Sequence, residues 1–162
     1  MKFLLSLLIS FFLIGCTAQT SNIQKIEYKA GACFGFCPMF KITINPDRSA
    51  IIEAEKFTFS NPKTKDWNGP TPEGTFTATI RETEYNQLVK LLNEANLKSL
   101  KNFYGNKNVT DLPTSHLKVT YKDGTSKHIE DYGKEGTPQL KEIYKFIEDL
   151  RLNQVWTKVE KP

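Results

Sequence analysis

The sequence lacks the motifs of the common enzyme classes. It has no Gly-x-Ser-x-Gly elbow of serine hydrolases, no His-Glu-x-x-His zinc motif and no glycine-rich loop for phosphate groups. It also lacks a basic run: 22 Lys and Arg against 18 Asp and Glu give a net charge of +4, but the lysines are scattered among acidic residues instead of clustering as in nucleic-acid binders. We therefore expect a protein that is not an enzyme, carries no cofactor and binds no nucleic acid.

A membrane-spanning segment is also missing, since the one extended apolar run, residues 3–14, is too short to cross a bilayer as a helix. Such a run behind a short basic start is typical of a secretory signal peptide. The run ends in the string LIGC, which finishes at Cys16 and resembles a bacterial lipobox. The resemblance implies a signal peptide over residues 1–15 and membrane anchoring through acyl chains such as palmitate on Cys16. An ordinary signal cut after Ala18 is the alternative, and both interpretations predict export.

The residue after the lipobox cysteine is Thr17 and not an aspartate, which by resemblance to enterobacterial sorting predicts the outer membrane, with the protein facing the periplasm. Residues 16–24 are small and polar and predict a tether. Residues 25–156 predict a single α+β domain, in agreement with the length of the chain, and residues 157–162 a C-terminal tail. We expect the partner to be an unidentified protein or ligand of the cell envelope.

Hydrophobic patterns predict an α+β domain of two layers. The stretches that have the alternation or composition of strands are residues 26–28, 40–44, 50–59, 75–80, 116–121 and 125–132. Apolar residues recur at helical spacing over residues 84–96 behind Thr83 as N-cap, and again from Pro138 behind Thr137. Consecutive hairpins imply an antiparallel sheet of about five to six strands, with both helices packed on one face.

The last hairpin allows its register to be predicted. Its KDG turn fits a three-residue loop with glycine in the left-handed conformation, so that Tyr121 pairs with Thr125. This register brings His116 opposite Glu130, with His128 as a diagonal neighbour about 7 Å away. Two solvated histidines are the simpler interpretation, and a weak surface metal site that includes Glu130 is the alternative.

The cysteine count favours one disulfide. Once Cys16 is assigned to the lipid or the signal peptide, Cys33 and Cys37 remain. A lone pair close in sequence, in an oxidising compartment, predicts a disulfide bond between the two. Closing so small a loop contributes about 2 kcal/mol of stability.

Metal or thiol chemistry at the same pair is the alternative. The CxxxCP string resembles the metal site of thioredoxin-like copper chaperones, which add a distant histidine such as His116. A set of Cys33, Cys37, His116 and His128 also has the ligand number of a zinc site, but not the spacing of a compact zinc module. We favour the disulfide because the pair leads into the strand 40–44 and not into a helix that would lower a thiol pKa. A periplasmic thiol-redox or copper-handling protein acting through Cys33 and Cys37 is the second interpretation.

Three aromatic residues in loops form the candidate binding surface. Phe34 and Phe36 lie between the two cysteines, and we expect one of them to be buried and the other to lie at the rim. Trp67 lies in the segment 60–74, whose prolines and glycines prevent regular structure. We expect Trp67 to pack back onto the fold. If this segment is instead presented to an enzyme, the protein is a secreted inhibitor.

The string CFGFCP, residues 33–38, followed by Phe40 and a strand, resembles the opening of a bacterial family known as domain of unknown function 6438. Its members resemble exported or lipid-anchored proteins with a Cys-x-Gly-x-Cys-Pro motif. Looser similarity extends to the last hairpin and to the string DYG, residues 131–133, and covers most of residues 26–150. No activity is assigned to the family, so the resemblance supports the domain and implies nothing about mechanism.

Overall fold

The computed structural model describes residues 21–60 and 72–160 of the chain. The strands are β1 (Ile23–Ala30), β2 (Phe40–Ile44), β3 (Ser49–Ala54), β4 (Gly74–Thr79), β5 (Phe103–Tyr104), β6 (Thr114–Tyr121), β7 (Ser126–Tyr132) and β8 (Thr157–Lys158). The helices are α1 (Glu82–Glu94), α2 (Pro138–Asn153) and a short 3₁₀ helix at Leu97–Ser99.

The strands of the described chain form one open sheet in the order β5-β7-β6-β1-β2-β3-β4-β8. Neighbouring strands are antiparallel, except that β5 runs parallel to β7. The sheet has eight strands, so the prediction of about five to six was too low. The two missed strands, β5 and β8, are two residues long and have no pattern of their own, because each exists only by pairing with an edge of the sheet.

One face of the sheet is buried and the other is open to solvent. Ile42 pairs with Tyr28 on one side and with Ile52 on the other, and all three side chains are buried. The buried residues of α1 and α2 belong to the same hydrophobic cluster, which confirms an α+β domain with two helices and a single sheet. The open face carries mainly charged, threonine and histidine side chains, as strand alternation requires. Within the described ranges, no helix has the length and apolarity needed to cross a membrane.

Several predicted boundaries were wrong. The strand predicted over residues 50–59 ends at Ala54, and the chain then turns through Phe57, whose φ of 61° is incompatible with an extended strand. Helix α1 begins at Glu82 and has Arg81, not Thr83, at its N-cap. Strand β1 begins inside the predicted tether, and β8 lies inside the predicted tail.

The last hairpin and the last helix agree with their sequence predictions. The N–H of Tyr121 donates to the carbonyl of Thr125 at 2.9 Å, which sets the predicted register of β6 and β7. Thr137 caps α2, since its hydroxyl accepts a hydrogen bond from the N–H of Leu140 at 3.2 Å and Pro138 is the first helical residue.

The loops gather at the two ends of the sheet. We call one of them the disulfide end; it is formed by residues 31–39 between β1 and β2, 55–60 after β3, 105–113 before β6 and 133–137 after β7. The opposite end holds the tight turns of the β2–β3 and β6–β7 hairpins and the start of β1. The candidate binding residues of the described chain therefore belong to the disulfide end.

Candidate functional site

The loop between β1 and β2 is closed by a disulfide bond. The Cα atoms of Cys33 and Cys37 lie 5.7 Å apart and their sulfur atoms are bonded. Gly35 lies between them with a φ of 116°, a conformation that residues with a side chain rarely adopt. The N–H of Phe34 donates to the carbonyl of Asp111 at 3.0 Å. The loop is therefore held from within by the disulfide and from outside by the segment that precedes β6.

Both phenylalanines of this loop reach solvent, which corrects the expectation that one of them is buried. Phe34 is 88% exposed and Phe36 is 53% exposed. The ring of Phe36 meets Phe57 edge to face, with 5.3 Å between ring centroids. We call residues 34–36 the aromatic tip. Two large apolar side chains presented together by a constrained loop are typical of a contact surface.

Hydrogen bonds from a buried arginine hold the segment 55–60, whose Phe57 contacts the aromatic tip. Nη1 of Arg151 donates to the carbonyl oxygens of Thr58 and Ser60, at 2.6 and 2.7 Å. The hydroxyl of Thr58 donates to the carbonyl of Met39 at 2.6 Å and so joins this segment to the start of β2. Arg151 is 6% exposed, and burial lowers the pKa of its guanidinium.

A small cleft opens beside the disulfide loop. Its volume is about 60 Å³, which is enough for one or two water molecules. The residues that line it include Cys37, Pro38, Ser115, Lys134 and Glu148. Nζ of Lys134 lies 2.6 Å from Oε1 of Glu148, so the two charges at the cleft neutralise each other. The cleft thus places one ion pair close to the aromatic tip.

Tyr28 reaches two of these lining residues from the core. Its hydroxyl donates to Oε1 of Glu148, and the same hydroxyl lies 2.9 Å from Oγ of Ser115. Because the only hydroxyl proton of Tyr28 goes to Glu148, Ser115 is the donor in the second hydrogen bond. Burial, reinforced by the negative charge of Glu148, raises the pKa of Tyr28 well above its ordinary value. Ser115 is fully buried and its proton is engaged, which is not the setting of an accessible nucleophile.

Asp131 organises the turn between β7 and α2. The carboxylate is fully buried and accepts hydrogen bonds from the N–H groups of Glu135 at 2.8 Å and Gly136 at 3.0 Å. A Cβ atom at Gly136 would lie 2.5 Å from Oδ2 of Asp131, so this position has room only for glycine. Burial raises the pKa of Asp131, and these two hydrogen bonds oppose the rise. The pKa of the neighbouring Tyr144 is raised by burial and by the Asp131 charge.

The two histidines lie side by side on the open face of the sheet. The rings of His116 and His128 stack with their centroids 5.8 Å apart and 19° between their planes, which confirms that the register brings them together. Burial lowers the pKa of His116, while the carboxylate of Glu130 on the opposite strand acts in the other direction.

The candidate metal ligands do not form a four-residue site. The sulfur atoms of Cys33 and Cys37 are bonded to each other, and both histidines belong to β6 and β7. In the part of the chain that the structure describes, no group of three or more His, Cys, Asp or Glu side chains is arranged to hold a metal ion. The other two predicted site residues, Cys16 and Trp67, lie outside the described residues.

The disulfide loop, the cleft and most of both layers fall within one region of family similarity. A family model described as Domain of unknown function (DUF6438) matches residues 24–151. The chain belongs to this family. No curated protein and no solved structure matches it. The DUF6438 description assigns no activity, so the evidence for a function comes from the geometry of the site.

The functional candidates that sequence reasoning missed in this DUF6438 domain are buried polar residues. Ser115 and Asp131 lie opposite each other on the buried face of β6 and β7, where alternation calls for apolar side chains. That break in the pattern was the available signal. Glu148 and Arg151 lie beside the apolar stripe of α2, where helical spacing alone does not distinguish a buried charge from a solvated one.

Proposed function

We propose that this chain is a lipid-anchored, non-catalytic binding module of the cell envelope, and that the aromatic tip is its contact surface. The observation that carries the proposal is the exposure of Phe34 and Phe36 on a loop closed by a disulfide bond. A disulfide is typical of an oxidising compartment. The apolar run of residues 3–14 and the lipobox cysteine Cys16 support export and anchoring, with the outer membrane, facing the periplasm, as the proposed site.

The construction of the aromatic tip favours binding over a purely structural role. Aromatic side chains bury a large area while they lose few rotatable bonds, which is why they are enriched among the residues that contribute most to interfaces. The disulfide and the hydrogen bond from Phe34 to Asp111 order the loop before a partner arrives. A loop that is ordered in advance avoids part of the entropic cost of association.

The position of the anchor relative to the aromatic tip follows from the course of β1. Seven peptide steps from Cys16 to Ile23 span at most about 25 Å, even when fully extended. Strand β1 then covers a further distance of about 26 Å before the disulfide loop. An anchor at Cys16 therefore attaches the domain at the end of the sheet opposite to the disulfide end. The aromatic tip faces away from that point of attachment.

The ion pair at the cleft favours a protein partner over a lipid surface. Cys37 and Pro38 connect the aromatic tip directly to the cleft, which also contains the Lys134–Glu148 ion pair. Protein interfaces combine an apolar centre with a polar, hydrogen-bonding rim. The hydrocarbon of a bilayer would accommodate the phenylalanines but would offer no hydrogen bonds to the Lys134–Glu148 ion pair. We accordingly propose an envelope protein that offers an apolar pocket with polar groups at its edge.

Photo-crosslinking in growing cells tests the binding surface. A photoreactive residue is placed at position 34 in one variant and, as the matched control, at position 155, because Val155 is as exposed as Phe34, at 88%. A discrete protein adduct is expected from position 34 and not from position 155. The Phe36→Ser substitution is expected to reduce that adduct. Equal adducts from both positions, or none from position 34, would contradict the proposal.

Metabolic labelling with palmitate tests the anchor separately. The wild-type chain is expected to incorporate label and to fractionate with membranes, and Cys16→Ser is expected to lose both properties. Incorporation that survives Cys16→Ser would overturn the lipid anchor without affecting the crosslinking test.

The second candidate function is thiol-redox or copper handling through Cys33 and Cys37. The observation in its favour is that Cys37 lines the cleft and is only half-buried, so that a reagent can reach the disulfide from solvent. Free thiols are titrated in the chain purified without reductant, and Cu(I) is then added. Absence of free thiol and of copper uptake would exclude this candidate. Stoichiometric uptake that is lost in Cys37→Ser would replace the binding module as the conclusion.

A further inference from the structure

We propose that His116 and His128 form a surface site for a divalent late transition-metal ion, with Cu²⁺ as the preferred ion. The two rings come from adjacent strands and lie next to each other on the open face of the sheet, with 5.8 Å between centroids. The site uses neither the aromatic tip nor the disulfide. It is therefore independent of the proposed binding function.

The distance between the rings suits two ligands of one ion. With metal–nitrogen bonds of about 2.0 Å, the centroids of two imidazoles lie about 4.5 Å apart on adjacent positions of a tetragonal Cu²⁺ site and about 6.3 Å apart on opposite positions. The observed 5.8 Å lies within this range, and because the rings are stacked with 19° between their planes, both side chains have to rotate to direct one nitrogen each at the ion. His128 is exposed and His116 is half-buried, so an ion can reach both rings from solvent.

The chemistry of the donors selects the class of ion. Imidazole nitrogen suits copper, zinc and nickel, whereas calcium and magnesium require several oxygen ligands. Among divalent first-row ions, Cu²⁺ binds a given set of nitrogen ligands most tightly. The two histidines fill two positions and leave the others to water.

The charges around the pair set a modest affinity. Glu130 is the cross-strand neighbour of His116 and brings a negative charge to the site, but its Oε1 lies 3.7 Å from Nζ of Lys107. Two lysines oppose a cation: Lys118, the cross-strand neighbour of His128, and Lys29, the neighbour of His116 on β1. The charge of Lys118 is partly offset by Glu27, whose Oε2 lies 3.6 Å from its Nζ. Replacement of Lys118 should therefore strengthen the binding of the ion, which supplies a variant with an effect opposite to that of the histidine variants.

Titration of the full-length chain in mild detergent with Cu²⁺ alone tests the site. One bound Cu²⁺ per chain is expected, with an electron paramagnetic resonance signal that reports two imidazole nitrogens. His116→Gln and His128→Gln are each expected to weaken binding by about tenfold or more, which is at least the effect of losing an outer-shell partner. Lys118→Gln is expected to retain or strengthen binding.

Two outcomes would overturn the assignment. Unchanged Cu²⁺ affinity in the variant that combines His116→Gln with His128→Gln would place the ion elsewhere on the chain. Loss of the ion in the variant that combines Cys33→Ser with Cys37→Ser, with both histidines intact, would assign it to sulfur. Both histidine substitutions lie on the open face of the sheet and leave its buried face unchanged, so impaired folding is not expected to mimic either result.

Discussion

The hydroxyl of Tyr28 donates a hydrogen bond to the carboxylate of Glu148, although 120 positions separate the two residues. The bond joins the central strand β1 to α2 at the edge of the cleft. Glu148 also accepts a hydrogen bond from Lys134, so one carboxylate connects strand, helix and the turn between β7 and α2. The cleft therefore depends on a buried phenol for its shape.

Tyr28→Phe is expected to lower the free energy of unfolding by about 1–2 kcal/mol at neutral pH, because Glu148 and Ser115 each lose a hydrogen-bond partner. The aromatic ring and its contact with Tyr144, 5.6 Å between centroids, are kept in this variant. Urea denaturation followed by circular dichroism measures the loss. If the variant is as stable as the wild type, these hydrogen bonds make no net contribution to the free energy of unfolding.

Alkaline pH gives an independent test of the same phenol. The fold raises the pKa of Tyr28, so its stabilising contribution is complete below the pKa of an unfolded tyrosine, about 10, and is lost as the pH rises from there toward the pKa in the folded chain. We expect the free energy of unfolding to fall above about pH 10, and to fall less steeply in Tyr28→Phe. Denaturant titrations at several alkaline pH values measure both slopes, and equal slopes would contradict the expectation.

Arg151→Met is expected to destabilise the domain by about 3 kcal/mol, because the carbonyls of Thr58 and Ser60 stay buried without their donor. Lys145→Met in the same helix is the matched control, since Lys145 lies on the surface and forms an exposed ion pair with Asp149 in the next turn. Thermal and urea unfolding of both variants should show a large loss for the first and little change for the second. A similar effect of the two substitutions would mean that Arg151 acts only through its charge.

Gly105→Ala is expected to destabilise the fold more than Gly124→Ala. Both glycines have positive φ, 110° and 82°, and share the conformational cost of about 1 kcal/mol for a left-handed residue with a side chain. At Gly105 the new Cβ would overlap the carbonyl oxygen of Tyr132, whereas no atom of the described residues lies within 4 Å of the Cβ position at Gly124. Comparison of the two midpoints of urea unfolding separates steric overlap from conformational cost, and equal midpoints would refute the overlap.

Replacing both Cys33 and Cys37 by serine is expected to lower the free energy of unfolding by about 2 kcal/mol, the value for a small closed loop. The fold should persist, because the hydrophobic core lies outside the loop. In the same variant the crosslink from position 34 should weaken, since the aromatic tip loses its fixed conformation. If the variant matches the wild type in both stability and crosslinking, the disulfide contributes to neither property.

Local patterns in the sequence predicted the elements whose geometry is set locally. The β6–β7 register follows from the turn that joins Tyr121 to Thr125, and the start of α2 follows from Thr137 and Pro138. The pairing of β5 with β7 and of β8 with β4 depends on where distant parts of the chain meet, and two-residue strands are too short for a pattern. The end of β3 was missed for a related reason, since Phe57 is a strong strand former that the tertiary structure holds at positive φ.

The candidate site was predictable only in part. The disulfide followed from counting cysteines, but the exposure of both Phe34 and Phe36 did not, because hydrophobicity alone favours burial of at least one. The cluster of Tyr28, Ser115 and Glu148 joins three elements far apart in the chain, and no local pattern encodes such a meeting.

The aromatic tip follows β1, a central strand of the sheet, so its position depends on the pairing of β1 with both of its neighbours. One edge of β1 pairs with β2, which follows directly, but the other pairs with β6, which the chain reaches only after α1. Contacts between segments so distant in sequence form late in folding, because closing the intervening loop costs conformational entropy. In a fragment that ends before β6, β1 would pair with β2 on one side and expose its other edge, next to the disulfide loop. Such an exposed strand edge tends to associate with other chains. The first half of the chain is therefore not a usable minimal version of the binding module, and any shortened form has to retain β6.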